Sequence, residues 1–384
     1  MCGLGRWWLC GFVLLWAVSS WGQVAEPSVA PYLHADDDAF MTRQAEALLA
    51  EVEQTLRGVP PQLPEPRERR LALRLLDAVL HEPFAPNRPP VQQFYHQQIA
   101  GAVDSMESTV VSEGAVIWKL YNHGFVVRTA SVTLAFDINP GPPAFAVYEG
   151  GAKVRVASPD LPIAAALLER LVGQCDALFV SHRHGDHAVE PVARLFLDQK
   201  KPVVAPPDVF EGLDFHGAIT HLARDGSITQ TLEIPGKSLA LEVVVYPGQQ
   251  YQGNGIPNNV VLVTSPEGIS VMHNGDQIND PYPEYQEDFR WSDAIHEQHK
   301  VDILMTNCWM NDLFRFVKGV NPRLVVPGHE NELGHVLWDR VPYWGDAAFL
   351  KLNYPELLAS DYRVLVMTWG ESYHYRPAAG GANE

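Results

Sequence analysis

The sequence predicts an α/β protein: a sandwich of two β-sheets with helices on the outside, preceded by a helical N-terminal extension. Three observations predict it. The chain changes character near residue 112, from helical periodicity to short runs rich in β-branched and aromatic residues. Each of two such β-rich stretches is followed by alternating helix and strand patterns, which imply parallel pairing with right-handed crossovers covered by helices. No repeat of short period is visible.

Residues 1–22 are set aside as a secretory signal. They carry one cation, Arg6, then an apolar stretch from Trp7 to Val18 and small polar residues. Twelve apolar residues fall short of the roughly 20 needed to span a bilayer, although an uncleaved anchor is the alternative. No later apolar run approaches that length without charges or prolines. The expected protein is therefore secreted or periplasmic, without a stable membrane span after cleavage. The helical extension is assigned to residues 23–111, the main domain to 112–376 and a flexible tail to 377–384.

In the extension, "DDDAFMTRQAEALLAEVEQTLRG" spaces Phe40, Ala45, Leu48, Leu49, Val52 and Leu56 as one helical face, with Gly58 as a stop. A proline-rich joint leads to a second helix in "RRLALRLLDAVLHE", and "FAPNRPP" leads to a third over about residues 91–107. None of these residues looks catalytic. From residue 115, "AVIWKLY", "GFVVRT" and "VTLAFDI" read as an antiparallel meander. "LPIAAALLERLVG" reads as a helix, "DALFVS" as a strand, residues 189–199 as a helix and "KPVVAPP" as a strand. A second meander comprises "GAITHL", "SITQTLEI", "SLALEVVVYP", "NNVVLVTSP" and "GISVMHNGD". The end alternates again: a helix around Tyr285 to His299, strands "VDILMTN" and "PRLVVPGH", a helix near Trp344 to Leu358, and a last strand "YRVLVMTWG".

With 46 acidic against 28 basic residues, the formal charge is -18. That excludes a nucleic-acid backbone as the main partner, since phosphate binding needs clustered Lys and Arg that release counterions. Cys2 and Cys10 fall in the signal, which leaves Cys175 and Cys308. On parallel strands these two lie at opposite strand ends, too far apart for a bridge, so free buried thiols are expected.

The chemistry is concentrated in "VSHRHGDHAVEP". His182, His184, Asp186 and His187 place four metal-binding side chains within six positions, directly after an apolar strand. Neutral imidazoles with a carboxylate are the donors preferred by zinc and, less selectively, by iron or manganese. Two later apolar strands also end in such donors: "ISVMHNGDQ" in Asp276 and "RLVVPGHENELGH" in His329. Strand ends are rigid places from which to aim a side chain into a shared cleft.

"SHRHGDH" at 181–187, "HNGD" at 273–276 and "PGH" at 327–329 resemble the successive motifs of the metallo-β-lactamase fold superfamily. "NHGFVV" followed by "LAFDI" is similar to its opening hairpin, and the resemblance covers about residues 115–370. It implies a four-layer αββα sandwich. It also implies that His182 and His184 bind a first metal, that Asp186, His187 and His329 bind a second, and that Asp276 bridges both. One ligand departs from the pattern. Many members carry a third histidine for the first metal after a strand ending in proline, where this chain reads "VVVYPGQQYQGN". Either Gln250 or Gln249, according to register, stands in its place.

The expected activity is hydrolysis of a small molecule by a metal-bound hydroxide, with one or two zinc ions per chain, or iron or manganese. Asp186 is the expected catalytic carboxylate, orienting the hydroxide or returning a proton to the leaving group. His123 and His335 are candidate substrate-side groups. The "YPGQQ" segment and the short strands look most like the branch that includes N-acyl phosphatidylethanolamine phospholipase D and ascorbate-6-phosphate lactonase, which implies a phosphodiester or lactone substrate. A β-lactam or another ester or amide is the first alternative. A non-catalytic metal-containing binding protein with an incomplete first site is the second. Self-association is left open.

Overall fold

The computed structural model describes residues 36–149, 152–250, 255–277, 287–308, 310, 312–329, 333, 356–357 and 359–377. The chain divides into two compact units, Met1–Met41 and Thr42–Glu384. The segment assigned as a signal, the helix expected near Trp344 and all but the first residue of the expected tail lie outside the described residues.

Three helices come first: α1 (Asp37–Gly58), α2 (Arg67–Leu80) and α3 (Pro89–Ser108). Leu73, Leu76 and Leu80 recur at helical spacing on α2 and are buried, as are Val91, Tyr95, Ala102 and Met106 on α3. Proline occupies the first turn of α3, where its missing N–H breaks no helical bond.

The β core consists of two six-stranded sheets. In the first, β1 (Ala115–Lys119), β2 (Phe125–Arg128) and β3 (Thr133–Phe136) form an antiparallel meander. To it β6 (Ala177–Phe179) and β7 (Val203–Val204) add in parallel through the helices α4 (Ala165–Gly173) and α5 (Glu190–Asp198). The second sheet repeats the plan. Strands β8 (Gln230–Ile234), β9 (Leu239–Gln249), β10 (Pro257–Thr264) and β11 (Ser270–His273) are antiparallel, and β12 (Ile303–Asn307) and β13 (Leu324–Gly328) then pair in parallel.

Alternation along the strands sets the layers. Phe125, Val127, Leu134 and Phe136 of the first sheet share one apolar cluster with Val243, Val245, Val261 and Val263 of the second. The opposite-facing residues Val126, Ala135, Val244, Tyr246, Val260 and Leu262 join the helices in the other cluster. Both faces of each sheet are therefore buried, which is the αββα sandwich the sequence predicts.

Several elements depart from expectation. A hairpin of β4 (Ala144–Glu149) and β5 (Ala152–Ala157) follows β3, and a helix α7 (Leu313–Val320) connects β12 to β13. Neither is foreseen in the sequence. "GAITHL" is no strand: it holds a short 3-10 turn, His216–Ala218, and a single bridge from Thr220 to Val204. The His216 and His221 rings bond instead to the Pro207 and Ala205 carbonyls (2.9 and 3.0 Å). The helix expected to reach His299 is a 3-10 turn, Glu287–Ser292, and one α turn, α6 (Ile295–Gln298). Ser292 Oγ donates back to the Phe289 carbonyl (2.8 Å), an alternative to helical continuation.

"YRVLVMTWG" is not a strand either, because it crosses between sheets. Leu365 N donates to Val325 O in the second sheet, whereas Gly370 N donates to Lys119 O in the first. The strand that closes the first sheet is β14 (Ser372–Tyr375), antiparallel to β1. Cys175 and Cys308 are buried and neither forms a disulfide.

Candidate metal centre

Three strand ends converge on one point. After β6 the chain folds back on itself, with the His187 and Ala188 amides both donating to the His184 carbonyl (3.0 and 2.7 Å). After β11, Gly275 adopts φ +53°, and a Cβ there would lie 2.4 Å from Ser181 Cβ and 2.3 Å from Asn258 Oδ1. Only glycine lets this turn press against the histidine loop, and so bring in Asp276. After β13, His329 itself takes φ +71°, and Asn122 and Asp137 beside it take +55° and +43°. Non-glycine residues in this region are uncommon and gather where the surroundings impose them.

The donors form two groups that share Asp276. Asp186, His187, Asp276 and His329 make one, and His182, His184 and Asp276 the other, with the ligand atoms of each within 4.8 Å of one another. His187 Nε2 lies 3.0 Å from Asp186 Oδ2 and 3.3 Å from Asp276 Oδ2. His329 Nε2 lies 3.1 Å from Asp276 Oδ1, and His182 Nε2 3.6 Å from Asp276 Oδ2. His182 Nε2 is buried with no hydrogen-bond partner among the described residues. A buried nitrogen left in that state is costly unless something occupies its lone pair. Two carboxylates with imidazole nitrogens turned toward them suit a divalent transition metal, so the residues fit the group.

Behind the donors lies a layer that holds them. Asp137, just beyond β3, accepts from Ser181 N (2.7 Å) and Ser181 Oγ (2.6 Å), and lies 2.7 Å from His187 Nδ1. That fixes the His187 ring and leaves Nε2 facing the carboxylates. Asn122 Nδ2 donates to Asp186 Oδ2 (2.9 Å), and Asn307 Nδ2 to Asp276 Oδ1 (3.2 Å). Asp276 N donates to Asn258 Oδ1 (3.0 Å). Sequence reasoning missed these residues. Asp137 carried a usable signal, since "LAFD" ends an apolar strand in a carboxylate just as the strand before Asp276 does.

Charge and burial compete here. Burial pushes His182 down to about 3, with the neighbouring His187 adding to the effect. It also lowers His184. Burial would lower His187 as well, but the carboxylates of Asp186, Asp276 and Asp137 outweigh it and hold this histidine well above its ordinary range. Burial would raise Asp276, but His187, His329 and His182 together hold it well below the carboxylate range. Asp186 is lowered in the same way, against burial, chiefly by His187. The carboxylates thus favour the protonated form of His187, and a metal would take its neutral form.

Gln250, and not Gln249, reaches this centre. Gln250 Nε2 donates to Asp276 Oδ2 (3.0 Å), while its Oε1 is buried with no hydrogen-bond partner among the described residues. Gln249 is held through its backbone amide by Gln277 Oε1 (2.8 Å). His123 departs from the substrate-side position expected of it. It is fully buried behind the donors, its ring 4.1 Å from that of His273 and 6.1 Å from that of His329. His335 lies outside the described residues.

No protein-family model and no curated protein matches the sequence. Solved structures do resemble it. A metallo hydrolase from the hyperthermophilic archaeon Ignicoccus hospitalis is similar over 68% of this chain and 98% of its own, at 15% identity and a TM-score of 0.44. An isothiocyanate hydrolase from Delia radicum gut bacteria matches 68% of this chain and 99% of its own, at 14% identity and 0.44. CmlA, a diiron β-hydroxylase from Streptomyces venezuelae, matches 70% of this chain and 55% of its own, at 16% identity and 0.43.

Proposed function

We propose that this chain is a metal-dependent hydrolase of the metallo-β-lactamase fold superfamily, exported, and acting on a small phosphodiester or lactone. The observation that carries the hydrolase reading is the sharing of Asp276 by two donor groups at the mouth of the sandwich. His182, His184 and Asp276 would hold one metal, and Asp186, His187, Asp276 and His329 the other. Zinc is the expected metal, and iron or manganese suits the same donors. The metal, when bound, supplies Lewis acidity and an acidified water at neutral pH.

The chain's own residues do the rest. Asp186 is 28% exposed at its side chain, against 7% for Asp276, so it is the carboxylate that can meet substrate. Asn122 fixes its Oδ2, and in this position the carboxylate can orient the attacking water and return a proton to the leaving group. Asp137 keeps the His187 ring from turning. The substrate class rests on the resemblance of "YPGQQ" to one branch of the superfamily. Export rests on the composition of residues 1–22, and N-terminal sequencing of the mature protein should begin near residue 23; an intact N-terminus in the extracytoplasmic fraction contradicts cleavage.

Protein purified from metal-replete medium should hold one to two transition-metal ions per chain. His187→Ala and Asp276→Ala should each remove most metal and all turnover of whichever of bis(p-nitrophenyl) phosphate, a lactone or nitrocefin the wild type accepts. Elemental analysis without metal sinks the reading. Bound metal with no turnover of any of the three favours the binding-protein alternative.

A further inference from the structure

Asp186 borders a cavity of about 590 Å³. Five prolines stand in its described wall: Pro140, Pro142 and Pro143 from the loop after β3, Pro162 before α4, and Pro191 at the start of α5. A wall with locked φ angles is preformed, so little conformational entropy is lost when a ligand settles against it. Asn139 ties this loop to the donors, since its Nδ2 donates to the Asp186 carbonyl (2.9 Å) and its Oδ1 accepts from Gly141 N (2.8 Å).

Arg155, on β5 of the hairpin that sequence reasoning did not foresee, is the one cation among the described lining residues. Its guanidinium makes no ion pair or side-chain hydrogen bond among the described residues. Arg155 stands exposed on β5, whereas Arg88, Arg170, Arg194 and Arg315 all pair with carboxylates. Glu190 also lines the cavity, but its carboxylate is engaged by Arg194 (2.8 Å). An unpaired guanidinium at an apolar cavity is a planar fork suited to a carboxylate or phosphate.

Resting on the hydrolase reading above, we propose that Arg155 determines specificity: the cavity beside Asp186 takes an ester-type substrate with an apolar body and a second, anionic group, which Arg155 binds away from the bond that is cleaved. Carboxylate and phosphate share this chemistry. In a chain of charge -18, such a cation also offsets the local repulsion an anionic substrate would meet.

The test needs no known substrate. Metal-loaded wild type, Arg155→Ala and Arg155→Lys are titrated calorimetrically with butyrate, succinate and 3-phosphonopropionate, and metal content is measured on the same samples. The wild type should bind at least one dianion about 10-fold more tightly than butyrate, the size expected of one charge-assisted hydrogen bond. Arg155→Ala should erase that preference while leaving butyrate affinity and metal content unchanged, and Arg155→Lys should keep part of it. Whichever of succinate and phosphonopropionate is preferred identifies the anion. Equal binding of all three ligands, no binding of either dianion, or a preference that survives in Arg155→Ala overturns the inference. Metal content judges the hydrolase reading separately, because Arg155 is not a metal ligand.

Discussion

Gln250 is where the centre departs from the pattern its motifs resemble, and the geometry says what that departure does. The side chain lies against Asp276 with its amide oxygen buried and without a hydrogen-bond partner among the described residues. An amide oxygen is a harder and weaker donor to zinc than imidazole nitrogen. Of the two groups, that of His182 and His184 has three donors and that of Asp186, His187 and His329 has four, Asp276 counting in both. The first metal should therefore leave first on stepwise chelation, and Gln250→His should tighten it on the order of 10-fold or more. Two equally tight metals in the wild type would show that the glutamine is a full ligand or that another residue fills the gap. The donors themselves were legible because metal ligands are few in kind and stand at strand ends. Asn122, Asn258 and Asn307 were not, because a buried asparagine that braces a ligand's carboxylate or backbone has the same sequence appearance as one in a turn. His123 was misplaced for a related reason: its sequence reveals a polar ring beside a glycine, whereas its burial is decided by β11, 150 residues further on, whose His273 Nε2 meets the His123 carbonyl at 3.1 Å.

At the scale of elements, legibility followed the hydrophobic pattern. Strands β1, β2, β3, β10 and β12, and the central part of β9, are rich in apolar residues because both of their faces are buried, one against the other sheet and one against helices. β14 escaped notice because its burial is mostly partial and its residues, "SYHY", lack an apolar run. The opposite error occurred at "YRVLVMTWG", which has the composition of a strand yet spends its hydrogen bonds on two different sheets. Composition reports burial, and here burial did not imply a ladder. The β4–β5 hairpin is exposed along β5, so it gave no core signal, although it carries Arg155 to the cavity.

At the scale of the molecule, helices α2 and α3 serve as an outer layer of the core without entering the metal centre. Tyr95 of α3 meets Trp369 and Tyr121 edge to face at 5.4 and 5.5 Å. Arg69 of α2 is completely buried and bonds both carboxylate oxygens of Glu371 and the Val366 carbonyl. Replacing a whole buried pair by apolar residues can be neutral, but removing one partner leaves a buried charge without compensation. Arg69→Ala should therefore lower stability by about 3–5 kcal/mol, read from denaturant unfolding. Deleting residues 1–108 should go further, since it strips the cover from Trp118, Tyr121 and Trp369 and exposes a large apolar surface. Neither change touches a donor, because His182 through His187, Asp276 and His329 are held from the two sheets and their loops. Metal stoichiometry in whatever folded protein is recovered should thus equal that of the wild type, while the melting temperature and solubility fall. A folded Arg69→Ala protein that has lost its metal would show instead that α2 sets the geometry of the centre, through Glu371 and the chain that runs from it into β14 and β1.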